Sequence, residues 1–174
     1  MIKKISILLI VLVVVFFVTQ QVTSFGKKDQ EPVYFELQSM DGKTYSMDDF
    51  KGKIIVANFW ATWCPPCRAE MPAFNRAYAK LKERDIVFIA FNIGEKKEVI
   101  EKFLKTTKID FPIMLDMSSS TFRAWGGQGL PTTFFIDKDG KIVKKITGQR
   151  EWDSPQWLKK IVSVGKISLD DLVK

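Results

Sequence analysis

The 174-residue chain contains no histidine and only two cysteines, and each shortage removes a class of chemistry. Without imidazole the usual general base at neutral pH is missing, and so is the nitrogen ligand of most zinc sites. Two cysteines cannot build a disulfide framework, so the fold must rest on its hydrophobic core. Nor do they supply the four ligands of a structural zinc, which would then require a dimer. Internal repeats and low-complexity tracts are also absent. The formal charge of +7 comes from 27 basic and 20 acidic residues. The lysines are scattered, Lys51, Lys53, Lys96, Lys97, Lys144 and Lys145 among them, whereas a nucleic-acid reader gathers its positive charge on one face. No nucleic-acid partner is expected.

A full-length membrane-spanning apolar run is lacking too. After Lys3 and Lys4, the stretch from Ile5 to Val18 is broken only by Ser6. As a helix it covers ~21 Å, less than the ~30 Å hydrocarbon core. Extending it to Phe25 takes in Thr19, Gln20, Gln21, Thr23 and Ser24. The short run resembles the apolar part of a signal peptide, yet Val22-Thr23-Ser24 is a weak cleavage site. Residues 1–25 are therefore read as a hydrophobic N-terminal helix, an uncleaved signal anchor in preference to a cleaved signal peptide. Either way the basic end stays inside and the rest is exported. That places a single-pass protein at the cell membrane with its domain on the extracytoplasmic side, or a secreted or periplasmic protein if the segment is cut. Residues 26–31 are a linker, and 32–174 suit one domain.

Within that domain, Val33–Leu37 alternates as a strand, and Asp41–Lys43 turns it into a second short one. Residues 48–50 suit one helical turn. "KIIVANFW" (53–60) and "DIVFIAFNI" (85–93) are β-branched and aromatic runs that read as buried strands. Helices are expected over 64–84, with a kink at Pro72, and over 95–107, with Val99, Ile100, Phe103 and Leu104 on one side. "FPIMLD" (111–116) is extended, 119–125 is a short helix, and Gly126, Gly127 and Gly129 loosen the chain after it. "LPTTFFID" (130–137) and "KIVKKITG" (141–148) form a hairpin around Asp139-Gly140. A last helix starts at Ser154-Pro155 and ends at Gly165. The order is a mixed sheet with helices on both faces, an α/β fold.

Both cysteines lie in "WATWCPPC" (60–67), where a central strand ends and a helix begins. A disulfide closing so short a loop restrains little of the unfolded chain, which leaves redox exchange as its use. Cys64 is placed near the helix N-cap, where free amides and the helix dipole favour a thiolate. Cys67, one turn on, can resolve a mixed disulfide formed by Cys64.

"NFWATWCPPCRAEMP" (58–72), followed by "GLPTTFFID" (129–137), resembles the TlpA/ResA-like thioredoxin-fold thiol–disulfide oxidoreductases, over residues 32–165. The resemblance implies a thioredoxin fold with a mixed central sheet, helices on both faces and an N-terminal β-hairpin. It implies that Cys64 attacks and Cys67 resolves, and that no cofactor is needed beyond the Cys64–Cys67 disulfide. Pro131 matches the cis-proline that faces the dithiol and holds an extended substrate, with Leu130 beside it. Glu70 matches an acidic residue that ResA-like members carry after the pair. Glu70 also has a case of its own. It follows Cys67 by three residues on one helix face, and Asn58, at the position of thioredoxin's buried acid, cannot take a proton. The competing reading is a glutamate that complements the helix dipole. Trp63 is a candidate flat surface for a substrate polypeptide, or else core. Trp60 is expected beneath the helix, and Trp125, Trp152 and Trp157 in packing.

The two prolines bear on direction. With Cys64 as N-cap, Pro65 and Pro66 have no N–H, and only the Cys67 amide is left for the sulfur. A less stabilised thiolate lowers the potential and argues for a reductant. The resemblance points the same way. It implies substrate proteins with disulfides, apocytochrome c among them, and a CcdA-type membrane thiol carrier as electron donor; the chain itself is expected to be a monomer. The alternatives are a thiol oxidase or isomerase of the same fold, a thioredoxin-fold peroxidase, or a tethered binding module without turnover. The peroxidase would need a Pro/Thr-rich loop before a lone cysteine, which "NFWATWCPPC" lacks.

Overall fold

The computed structural model describes residues 32–166. The expected N-terminal helix and linker, like residues 167–174, lie outside the described residues. Among these there are β1 (Glu36–Gln38), β2 (Thr44–Ser46), β3 (Ile54–Trp60), α1 (Pro65–Leu81), β4 (Ile86–Ile93), α2 (Lys97–Leu104), β5 (Ile113–Asp116), α3 (Ser120–Ala124), β6 (Thr132–Ile136), β7 (Ile142–Thr147) and α4 (Pro155–Ser163). β1 and β2 pair as an antiparallel hairpin. The other five strands form one sheet in the order β5-β4-β3-β6-β7. β3, β4 and β5 run parallel, while β6 and β7 are antiparallel to their neighbours.

Apolar side chains on alternate positions give this sheet two buried faces. All seven residues of β3 are buried. Val56 and Trp60 pack with Phe74, Met71, Ile100 and Ile161 of the helices on one side. Ile55, Ala57 and Phe59 pack on the other with Phe35, Phe122 and Trp125. α1, α2 and α4 thus cover one face, and α3 with the segment from Val33 to Phe50 covers the other. This is the thioredoxin fold with its mixed sheet.

Several boundaries differ from the sequence reading. The first strand is only Glu36–Gln38, because the Val33 amide donates to the Gly140 carbonyl (2.9 Å) and the Phe35 carbonyl accepts from Met47 (3.0 Å), both outside the hairpin. α1 stops at Leu81, and Arg84 closes a tighter turn onto the Leu81 carbonyl (3.0 Å). Pro72 lies inside α1 and does not end it. α2 is shorter than 95–107, since Glu95 is held by side-chain bonds before the helix begins, and Val99 is exposed. Gly127 does not loosen the chain: its amide donates to the Phe122 carbonyl (2.8 Å), and a side chain there would collide with the Phe122 ring. Gly165 has no left-handed backbone. A Cβ there would come within 2.9 Å of Ile54 Cδ1, the movable tip of that side chain.

Candidate functional site

β3 ends at Trp60, and a three-residue connection leads to Cys64, the N-cap of α1. Pro65 and Pro66 occupy the first two helical positions, and their fixed φ suits a helix start. The Cys67 amide donates to Cys64 Sγ at 3.3 Å, and no amide is available before it. Cys64 and Cys67 are joined as a disulfide, with Cα atoms 5.3 Å apart. Cys67 is wholly buried and Cys64 is 3% exposed, so Cys64 is the residue of the pair that reaches solvent.

Neighbouring elements converge on the same edge of the sheet. Thr132 pairs with Phe59 in the antiparallel β3–β6 ladder, so Pro131, one residue earlier, falls level with the end of β3 where the dithiol loop departs. The Leu130–Pro131 peptide is cis, and the Pro131 carbonyl accepts from the Gly148 amide at 2.8 Å. Leu130 is half-buried and packs against the cluster that contains Cys64 and Cys67. Trp63 is 66% exposed beside Cys64, whereas Trp60 is buried with its ring 5.3 Å from that of Phe103.

Glu70 is 1% exposed, one turn along α1 from Cys67. It lies past the first turn of α1, which holds no acidic residue, so it is not placed to complement the helix dipole there. Its Oε1 accepts from Asn58 Nδ2 at 2.8 Å. Its Oε2 accepts from Trp152 Nε1 at 2.8 Å and from the Arg150 amide at 3.1 Å. Burial pushes the carboxyl up from 4.5 to about 7, although the hydrogen bonds from Trp152, Asn58 and the Arg150 amide, and the Arg150 charge, all pull it down. A carboxyl balanced in this way can take or give a proton near neutral pH.

A second buried carboxylate, Glu95, was not singled out from sequence. It accepts from the Thr62 amide (2.7 Å), from the Thr62 hydroxyl and from Asn92 Nδ2 (2.7 Å). It therefore ties the start of the second crossover to the loop that carries Trp63 and Cys64. Trp152 and Arg150 were also missed as partners of Glu70, because they lie 82 and 80 residues away from it along the chain. The signal for Glu95 was its place just after the strand ending at Ile93, where an acidic residue can reach a neighbouring loop.

Comparison with known proteins agrees with this arrangement. The AhpC/TSA family model matches residues 28–145. The thiol-disulfide oxidoreductase ResA of Bacillus thuringiensis subsp. konkukian is 36% identical over 147 residues, which is 84% of this chain and 83% of that protein. ResA of Geobacillus thermodenitrificans is 41% identical over 114 residues, 66% of each. Among solved structures, the thiol:disulfide interchange protein DsbE from Chlorobium tepidum superposes with a TM-score of 0.72 at 30% identity, covering 79% of this chain and 97% of its own. StoA from Bacillus subtilis gives 0.65 at 27% identity, covering 76% and 98%. The chain belongs to the AhpC/TSA family and, within it, to the TlpA/ResA-like thiol–disulfide oxidoreductases.

Proposed function

We propose that this thiol–disulfide oxidoreductase acts as a reductant of disulfides in exported proteins, held at the extracytoplasmic face of the membrane by residues 1–25. The observation that carries the direction is the single amide, that of Cys67, left to the Cys64 sulfur at the start of α1. A thiolate with one donor is less stabilised than one with two or three, and a less stable reduced form means a lower potential.

In the reduced protein the Cys64 thiolate attacks one sulfur of a substrate disulfide. The second substrate sulfur leaves as a thiolate and is protonated by solvent. The Cys67 thiol passes its proton to Glu70 and attacks Cys64 Sγ, and the first substrate sulfur leaves as a thiolate that solvent protonates, while Glu70 gives up its proton to complete the cycle. The substrate has then gained two electrons and two protons, and the Cys64–Cys67 disulfide seen here is the product state. Pro131 and Leu130 line up an extended substrate segment, and the exposed Trp63 ring offers it an apolar surface. A CcdA-type membrane thiol carrier would return the electrons, and a cysteine pair awaiting haem, as in apocytochrome c, is the substrate class we favour.

The test is reduction of insulin by the pre-reduced chain, together with its equilibrium potential against glutathione. Turnover that disappears in Cys64→Ser, with a potential well below that of a strong oxidant, is the expected result. A potential near about −120 mV would overturn the reductive direction.

A further inference from the structure

Asn58 stands on β3 directly below α1, and its Nδ2 donates both to Glu70 Oε1 (2.8 Å) and to Thr133 Oγ1 (2.9 Å). Its Oδ1 is buried without a hydrogen-bond partner. Such an orphan acceptor is costly inside a protein and asks for an explanation. The two groups that Nδ2 reaches share one property: each can reverse. A carboxyl becomes a donor when protonated, and a hydroxyl donates as readily as it accepts.

The other partners of Glu70 cannot reverse. The Arg150 amide and Trp152 Nε1 are donors only, and both point at Oε2. A proton arriving on Glu70 must therefore sit on Oε1, the oxygen that faces Asn58. There it meets an N–H unless the carboxamide turns over. Half a turn about the terminal torsion exchanges Nδ2 with Oδ1, and this torsion is roughly two-fold in its preferences. The orphan oxygen would then accept from protonated Glu70 and from the reversed Thr133 hydroxyl.

We propose that Asn58 is a positioning residue whose side-chain amide turns over with the proton of Glu70, donating to the carboxylate through Nδ2 and accepting from the carboxylic acid through Oδ1. A buried acid thereby keeps a hydrogen bond in both of its charge states. An aspartate in the same place could not do this without setting a second negative charge beside the first. The charged and titratable groups around Glu70 are few. Arg150 pulls its affinity for the proton down, and Cys67 lies one turn away on its own helix, while Asn58, Thr133 and Trp152 are neutral. The balance of these with burial, which brings the carboxyl to about 7, is what lets both settings be populated near neutral pH. The catalytic consequence rests on Glu70 being the proton acceptor for Cys67, but the turnover itself does not.

The experiment is a pH titration of the full chain in detergent micelles, oxidised, with isotope-labelled asparagine and glutamate, read by NMR. Asn58 side-chain N–H signals that move with the same midpoint as the Glu70 carboxyl carbon are expected. Cross-peaks from the Asn58 amide protons to the Thr133 methyl should be present above that midpoint and lost below it. Cross-peaks that persist on both sides, or amide signals that do not titrate with Glu70, overturn the proposal. Reduction kinetics of Glu70→Gln judge the catalytic role separately, since an unchanged pH–rate profile there sinks the proton-acceptor reading and leaves the turnover standing.

Discussion

Along β3, Ile55, Ala57 and Phe59 turn to one face of the sheet while Val56, Asn58 and Trp60 turn to the other. The first set meets an aromatic core: the Phe59 ring lies 4.6 Å from Phe91, 5.2 Å from Phe122, 5.4 Å from Trp125 and 5.6 Å from Phe134, centre to centre. The second set meets α1, and there a carboxyl, a carboxamide, a hydroxyl and an indole N–H are linked beneath the dithiol. Both faces bury apolar area. The α1 face gives up part of it to linked polar groups one turn along α1 from the cysteine pair. The polar groups are thus confined to one strand parity, and Phe59 and Asn58, one residue apart, should answer to substitution differently.

The largest effect should come from the aromatic face. Phe59→Ala removes a ring with no exposed surface and leaves a cavity that four neighbouring rings can only partly fill. Chemical denaturation should show a loss of about 3–5 kcal/mol, while the folded fraction reduces insulin at the parent rate. A matching fall in rate per folded molecule would break the division between the faces.

Glu70→Gln should act in the reverse sense. The Glu70 carboxyl titrates near 7 in the fold and near 4.5 when unfolded, so between those values the folded state holds the extra proton. The raised value means that stability falls as pH rises through this window and stays lower above it. The difference of some 2.5 pH units amounts to about 3 kcal/mol at pH 8. Glutamine carries no charge to desolvate, so the variant should be more stable than the parent at pH 8 and equal to it at pH 4. Its reduction rate should fall about a hundredfold through loss of the proton acceptor. Denaturation at the two pH values checks the first claim, and a flat stability difference would contradict it.

The division between the faces also explains what could be read from the sequence. The succession of strands and helices along the chain, the placement of Cys64 at a helix start and the loss of two amides at Pro65 and Pro66 follow from local pattern, because each depends on residues within a turn or a strand. Glu70 was legible as a candidate for the same reason. Its partners Trp152 and Arg150 were not, since a contact across 80 residues leaves no periodic trace, and Trp152 carries the same letter whether it packs or donates. The bounds of α2 failed for a related cause. Glu95 has a good helix propensity, but its side chain is engaged by Thr62 and Asn92, and tertiary bonding overrides propensity.

Glu95 itself supplies the smallest and most local test. It is nearly as buried as Glu70 and also accepts three hydrogen bonds, yet it serves the loop instead of the sulfur. Glu95→Leu removes both acceptor oxygens and leaves the Thr62 amide and Asn92 Nδ2 without their partner, whereas a glutamine could keep both on its oxygen and donate to the Thr62 hydroxyl. A loss of about 1–2 kcal/mol is expected from the donors left unpaired. Because the bond is to backbone, the sharper readout is amide exchange: Thr62 should lose protection while Val56 and Ala57 in β3 keep theirs. Unchanged exchange at Thr62 would mean that the strand end and the proline-led helix hold Cys64 without this strut. If Thr62 is freed, a measured fall in the rate of insulin reduction with the Glu70 pH profile intact would separate holding the dithiol in place from moving its proton.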